Sequence, residues 1–334
     1  MITTQTVTAW NDLADTALAG ICPGAEDCLA VLQADDDELL AILHAAFRVR
    51  KQYFGRKVKL NMLINAKSGY CPEDCGYCSQ SKTSSAPIDK YPLVDKDVLL
   101  AGANEAIERK AGTYCIVCSG RGPTTKQLDI IEDAVREIKA TTSLKICACL
   151  GLLKDGQAER LQTAGVDRYN HNINTSSGHH DQITTTHSYQ DRVNTVNKVK
   201  GAGISPCSGV IVGMGERDSD IVEMALALRD LDSDSIPVNF LNAIPGTPLE
   251  DQEPLTPNRC LKILAMFRFV CPTKEIRASG GRELNLGALQ PLALYPANSI
   301  FVGDYLTTSG QDIEADHKLI HDMGFEIDAP VGRV

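Results

Sequence analysis

From residue 59 onward the chain repeats one pattern: a short apolar run, then a segment with apolar side chains at three- and four-residue steps. The apolar runs fall at residues 60–64, 113–117, 144–150, 166–170, 204–212, 235–239, 275–278 and 298–301, which makes eight. Among the intervening segments, residues 98–110, 157–163 and 190–200 read as helices. Leu128, Ile131, Val135 and Ile138 form a stripe that one helix face would bury. Strand and helix alternating eight times imply a parallel (β/α)8 barrel of the TIM type. Its active site is expected at the C-terminal ends of the strands. Residues 1–55 read instead as helices, the clearest at 37–51 with Leu39, Leu40, Leu43 and Phe47 on one side. The expected organisation is an N-terminal helical extension over 1–55, covering one end of a barrel over 56–334.

Immediately after the first strand comes Tyr70-Cys71-Pro72-Glu73-Asp74-Cys75-Gly76-Tyr77-Cys78. Three cysteines spaced this closely, with Pro72 and Gly76 keeping the segment out of regular structure, can bring three thiolates to one centre from a single loop. Iron–sulfur ligation asks for that arrangement. A closed zinc site usually pairs one Cys-x-x-Cys with a second downstream, and none is present; a disulfide leaves one thiol over.

The chain carries 43 acidic and 33 basic side chains, a formal charge of −10, with no run of lysines or arginines. Nucleic acid and anionic membrane are therefore poor partners. No stretch approaches the length of a membrane span, and the first residues lack a basic region followed by an apolar one. The expected location is the cytoplasm, where the 12 cysteines serve thiolate chemistry rather than a disulfide framework.

Further cysteines fall on the expected strands, at Cys115, Cys147, Cys149 and Cys207. Alternation makes Cys147 and Cys149 face the same way; if that way is inward, the set could hold a second cluster deep in the barrel. Cys22, Cys28, Cys260 and Cys271 read as surface or core residues. Asn170, Asn172 and Asn174, with His171 among them, end the fourth strand in a row of short amides suited to ribose hydroxyls or a cyclic urea. Gly209, Gly213 and Gly215 space the end of the fifth strand so that a ligand can approach the backbone. No Lys-Ser or Lys-Thr pair follows them, which argues against a phosphate loop. His179, His180 and His187 read as solvated or loop-capping. Residues 243–257, rich in turn formers, read as a long active-site loop.

The loop spacing, with Tyr77 before the last cysteine, resembles the signature of the radical S-adenosylmethionine superfamily. The run from Tyr70 to Ser81 and the ordered motifs up to about Thr308 resemble the biotin synthase family within it. The resemblance implies a 4Fe-4S cluster on Cys71, Cys75 and Cys78 that leaves one iron for S-adenosylmethionine. It implies an auxiliary iron–sulfur cluster on Cys115, Cys147, Cys207 and Arg277, and sulfur insertion into dethiobiotin. Arg277 is an unusual ligand, because a guanidinium stays protonated; neutralising an anionic cluster or fixing a strand end are the other readings. Tyr77, Asn172, Asn174, Gly213 and Gly215 are implied as cofactor contacts. Asn172 and Asn239 are implied as contacts to the substrate urea. Many members of the family carry aspartate where Asn174 stands.

Cys118 and Cys149 depart from the simplest family pattern, which leaves the auxiliary cluster as 2Fe-2S or as a larger four-iron cluster with an extra sulfide. Cys118, at the mouth end of its strand, is the expected added ligand. A flavodoxin- or ferredoxin-type electron donor and a homodimer also follow from the resemblance. A hydrogenase-maturation or methylornithine-forming relative would share the loop but lack the strand-borne thiols with Arg277. A non-catalytic iron–sulfur sensor would not turn over S-adenosylmethionine.

Overall fold

The structure, a computed structural model, describes residues 4–329. Residues 1–3, which open the segment read above for a targeting signal, and residues 330–334 lie outside the described residues. Three helices come first, α1 (Thr4–Leu18), α2 (Ala25–Gln33) and α3 (Leu39–Phe54). They pack along the helix Pro257–Val270, and their apolar faces join the core that fills the space between barrel and outer helices.

The strands are β1 (Lys57–Lys67), β2 (Thr113–Cys118), β3 (Lys145–Cys149), β4 (Arg168–Asn170), β5 (Ser205–Cys207), β6 (Val210–Val212), β7 (Ser235–Phe240), β8 (Glu275–Ala278) and β9 (Ser299–Phe301). All pair in parallel, and β9 returns to β1 through Lys59 opposite Ser299, which closes the barrel. The expected fifth strand is one staggered strand in two pieces, β5 and β6. Between them Gly209 passes so close to β7 that a Cβ there would stand 1.9 Å from the Pro237 carbonyl oxygen. Only glycine fits such an approach. Eight staves therefore form the expected (β/α)8 barrel. A short β10 (Glu326–Ile327) adds to the start of β1, opposite Lys57 and Val58.

Two buried arginines seal the N-terminal end of the barrel. Arg268 donates to the carbonyls of Pro296, Pro272 and Lys274 and to Asn298 Oδ1. Arg50 at the end of α3 donates to the carbonyls of Ala297, Gly55 and Lys57. They satisfy backbone acceptors that burial would otherwise leave unpaired. Conserving hydrogen bonds at this end leaves the opposite end to the loops that build the site. No helix among the described residues is long and apolar enough to cross a membrane.

Candidate active site

The C-terminal ends of the strands open into a cavity of about 410 Å³ lined by Cys71, Cys75 and Cys78, by Cys115, Cys118, Cys147 and Cys149, and by the amides of Asn172, Asn174 and Asn239. None of the cysteines is in a disulfide. Among the described residues no three His, Cys, Asp or Glu side chains stand at single-ion spacing.

The loop thiols are held by tight turns and by a polar clamp. Cys78 N–H donates to the Cys75 carbonyl at 3.1 Å, Ser81 N–H to the Cys78 carbonyl at 3.1 Å, and Gly76 N–H to the Ile183 carbonyl at 2.9 Å. Glu73 accepts from Arg121 at 3.0 Å, from Thr186 Oγ1 at 2.6 Å and from His187. Asp74 accepts from Thr184 Oγ1 at 2.7 Å, from Thr185 N–H at 3.0 Å and from Thr186 Oγ1 at 3.0 Å. Burial would raise the Glu73 carboxyl, but the bonds from Thr186, His187 and Arg121 outweigh it and hold it below the ordinary carboxylate range. Both acids therefore stay ionised as anchors. Burial pushes the Cys78 thiol up to about 12, so its thiolate needs a positive or metallic neighbour.

Deeper in the barrel, Cys115 of β2 stands in register with Cys147 of β3. Together with Cys207 and Leu63 they form a small buried group of their own, apart from the main core. Contact with Cys115 raises Cys147, and contact with Cys147 raises Cys207, each well above the ordinary thiol value, and burial adds to both. Arg277 opposes this from beside them. Its guanidinium donates to Glu275 Oε1 at 2.6 Å, Ser235 Oγ at 2.9 Å and Ser299 Oγ at 3.2 Å, and lies 4.9 Å from the centre of the Phe301 ring. Glu275 also meets Arg168 at 2.8 Å and Lys59 at 3.3 Å. Burial favours its neutral form, yet Arg277, Arg168 and Lys59 prevail and keep it well below the usual carboxylate range. Cys149 and Cys118 lie on the same cavity, each pushed up to about 12 by burial.

The all-sulfur donor sets, free thiols at two depths and a fixed cation beside the deeper one, fit iron–sulfur groups better than hard oxygen-seeking ions. Orphaned polar atoms point the same way. His171 Nε2, His187 Nε2 and Arg192 Nε are buried without partners on residues that line the cavity.

The amide row is largely pre-set by protein contacts. Asn172 Oδ1 accepts from Gly209 N–H and from Asn170 Nδ2, both at 3.0 Å, which leaves its own NH2 free for a ligand. Asn174, in a left-handed turn at φ 69°, turns its oxygen to Tyr77 OH at 2.5 Å and to Arg192 at 3.0 and 3.1 Å. Gly213 and Gly215 lie beyond β6 outside the cavity lining, and Gly213 N–H is capped by Glu216 at 2.7 Å. Gly209 serves the contact with β7 rather than a ligand. Cys28, Cys260 and Cys271 are core residues and Cys22 packs against the core, as the sequence implies. His179, His180 and His187 differ from expectation: all are buried, His187 against Glu73 and His179 with Nε2 at 3.2 Å from the Met214 carbonyl. From the turn-rich segment, Asn242 and Ile244 reach the cavity wall.

Sequence reasoning overlooks Arg192, Glu275 and Tyr305. Arg192 comes from a helix, Tyr189–Gly201, and reaches to 4.0 Å from Cys75 Sγ while donating to the Asn172 carbonyl at 3.0 Å. Nothing in its local sequence distinguishes it from a surface arginine. Tyr305 follows β9 and packs on the deep thiol group.

Comparison with known proteins agrees with this geometry. The Radical SAM superfamily model matches residues 66–228, and the Biotin and Thiamin Synthesis associated domain matches residues 237–326. The curated biotin synthase of Halalkalibacterium halodurans is 63% identical over 96% of this chain and 96% of its own length; that of Bacillus licheniformis is 62% identical over the same shares. Among solved structures, a methylornithine synthase superposes with a TM-score of 0.84 at 20% identity, covering 95% of this chain and 98% of that one. The FeFe-hydrogenase maturase of Carboxydothermus hydrogenoformans gives 0.78 at 15% identity, covering 95% and 79%, and like the first it speaks for the barrel alone. With nearly full-length identity to curated relatives and a barrel of matching form, the chain belongs to the biotin synthase family of radical S-adenosylmethionine enzymes.

Proposed function

We infer that the protein inserts sulfur into dethiobiotin to form biotin, and that the single cavity with thiols at two depths and amides between them is where it does so. When bound, a 4Fe-4S cluster with S-adenosylmethionine supplies one-electron sulfonium cleavage and hydrogen abstraction from an unactivated carbon, while an auxiliary cluster supplies sulfur. The residues that would hold the first cluster are Cys71, Cys75 and Cys78. Cys115, Cys147 and Cys207 would hold the second, with Arg277 beside it as ligand or counter-charge. That guanidinium is already committed to Glu275, Ser235 and Ser299, which favours the counter-charge role.

Asn172, Asn174 and Tyr77 line the cavity beside the loop thiols and would orient the cofactor, whereas Gly213 and Gly215 would reach it only from outside that lining. Asn239 would meet the substrate urea. The barrel wall excludes water from the reacting carbon. Cys118 would be the added thiolate of a four-iron auxiliary cluster, since it lines the cavity near Cys149. Iron and sulfide counts with Mössbauer spectra on Cys118→Ala test that; an unchanged auxiliary cluster removes the idea.

A flavodoxin- or ferredoxin-type donor, a homodimer, a cytoplasmic setting and a division into a 1–55 extension and a 56–334 barrel complete the reading. Sedimentation of the holoprotein as a monomer contradicts the dimer. The deciding experiment is an anaerobic assay of reconstituted protein with S-adenosylmethionine, dithionite and dethiobiotin. Mass spectrometry should find biotin and 5′-deoxyadenosine; 5′-deoxyadenosine without biotin would point to another radical enzyme, and neither product to a sensor.

A further inference from the structure

Asn239 is the residue through which the proposed function meets the substrate urea, yet its oxygen is not available to any ligand. It accepts from Gly280 N–H at 3.0 Å and from Tyr305 OH at 2.9 Å, which fills both lone pairs. Its nitrogen donates one hydrogen to the Val210 carbonyl at 2.8 Å. One N–H is left over. Asn172 adds a second free NH2 group across the same cavity, its oxygen likewise occupied by Gly209 and Asn170. The two amides implied for the urea, Asn172 and Asn239, therefore offer donors only. A cyclic urea presents a carbonyl that accepts and N–H groups that donate, so a urea met by these two amides alone keeps an N–H unpaired on burial, at a cost comparable to a lost hydrogen bond.

We propose that Tyr305 supplies the missing acceptor: its hydroxyl oxygen receives a ureido N–H of dethiobiotin while its own hydrogen holds Asn239 in place. The inference rests on the assignment of dethiobiotin to this cavity and adds a specificity residue to it. Geometry fixes the direction of the hydroxyl. Because Asn239 Oδ1 can only accept, Tyr305 must donate to it, and its oxygen keeps its lone pairs. The ring is locked as well. It meets Phe301 edge-on at 5.3 Å between centres and packs where Gly280 lacks a side chain, a Cβ there standing 2.8 Å from the ring.

The pair Asn239 and Tyr305 thus presents a donor and an acceptor side by side, the complement of one edge of a urea. The same tyrosine rests on the group of Cys115, Cys147 and Cys207. A urea ring read by this pair is held beside the deep thiols.

Tyr305→Phe removes one oxygen and keeps the ring, so it is the variant to test. Reconstituted holoprotein with S-adenosylmethionine is titrated anaerobically by calorimetry with dethiobiotin and with its two cyclic carbamate analogues, in each of which one ureido N–H is replaced by oxygen. The variant should bind dethiobiotin about tenfold more weakly than the wild type. The wild type should disfavour one of the carbamates by a similar factor, and the variant should no longer distinguish it from dethiobiotin. Iron content and both cluster spectra should be unchanged, which separates lost recognition from lost structure. Equal binding of dethiobiotin by the two proteins, or equal discrimination against both carbamates, overturns the proposal. Failure of the wild type to bind dethiobiotin at all overturns the assignment of the cavity and this inference with it.

Discussion

The two groups of thiols are built on opposite principles. Cys71, Cys75 and Cys78 come from one stretch of irregular chain whose shape is imposed from outside, by the run Thr184-Thr185-Thr186-His187 gripping Glu73 and Asp74. Cys115, Cys147 and Cys207 come from three strands whose ladder register sets their spacing, with Arg277 and Glu275 as fixed charges beneath. A loop can open to admit a cofactor and close again; a strand register cannot. The contrast fits the roles proposed above, exchange of S-adenosylmethionine at the loop and a fixed sulfur source at the strands.

Removing a thiol from each group should separate their duties. Cys75→Ala is expected to abolish formation of methionine and 5′-deoxyadenosine altogether and to lose about four irons per chain. Cys147→Ala should keep cleavage of S-adenosylmethionine within about threefold of wild type while biotin formation falls by roughly a hundredfold or more, because the radical source is intact and the sulfur source is not. Both are read by mass spectrometry of the products and by iron analysis. If Cys147→Ala loses cleavage as well, the two groups do not act separately.

The charges under the deep group offer a sharper contrast. Arg277→Met strips Glu275 of one partner in a fully buried position and should destabilise the apoprotein by about 3 kcal/mol in urea unfolding. Glu275 has its carboxyl pKa lowered in the folded state. Its stabilising contribution is therefore complete above its ordinary value near 4.5 and is lost only as pH falls through the lower folded value. Glu275→Gln should accordingly flatten the stability profile below pH 4.5 and lower the plateau above it. Had burial won, the profile would run the other way.

The smallest effect is expected at the loop. Thr186→Val removes a hydroxyl that serves Glu73 and Asp74 and should cost about 1 kcal/mol, leaving cluster content intact. A cost as large as that of Arg277→Met would show the loop to be as rigid as the barrel.

What the sequence revealed follows the same divide. Local spacing carries the loop thiols, since three cysteines within eight residues need no fold to be read together. Periodicity carries the barrel, and the eight strand positions expected from it are occupied in the structure. The deep thiols were legible only in part. Alternation placed Cys147 and Cys149 on one face, but that Cys115 stands opposite Cys147 is a matter of register, which no single strand encodes. Arg192, Tyr305 and the clamp on Glu73 are not legible in the sequence because they bring distant segments together, Arg192 with Cys75, Tyr305 with Asn239 and Glu73 with Thr186 and His187, where pattern within one element has nothing to say. For the histidines at 179, 180 and 187 a polar loop implies solvated or loop-capping roles; the solvated alternative fails because polar neighbours there are buried against one another.

Closure of the barrel through β9 and β1 has a consequence for how the protein matures. A nascent chain leaving the ribosome presents the loop cysteines early, before most of the strands exist. The floor of the barrel, by contrast, needs Arg277 and then residues 299–301 to pair back with 59–61, so it cannot form until almost the whole polypeptide has been released. The pocket formed by Cys115, Cys147 and Cys207 is therefore complete only in a finished molecule, and the group proposed for it would be loaded into a folded or nearly folded client.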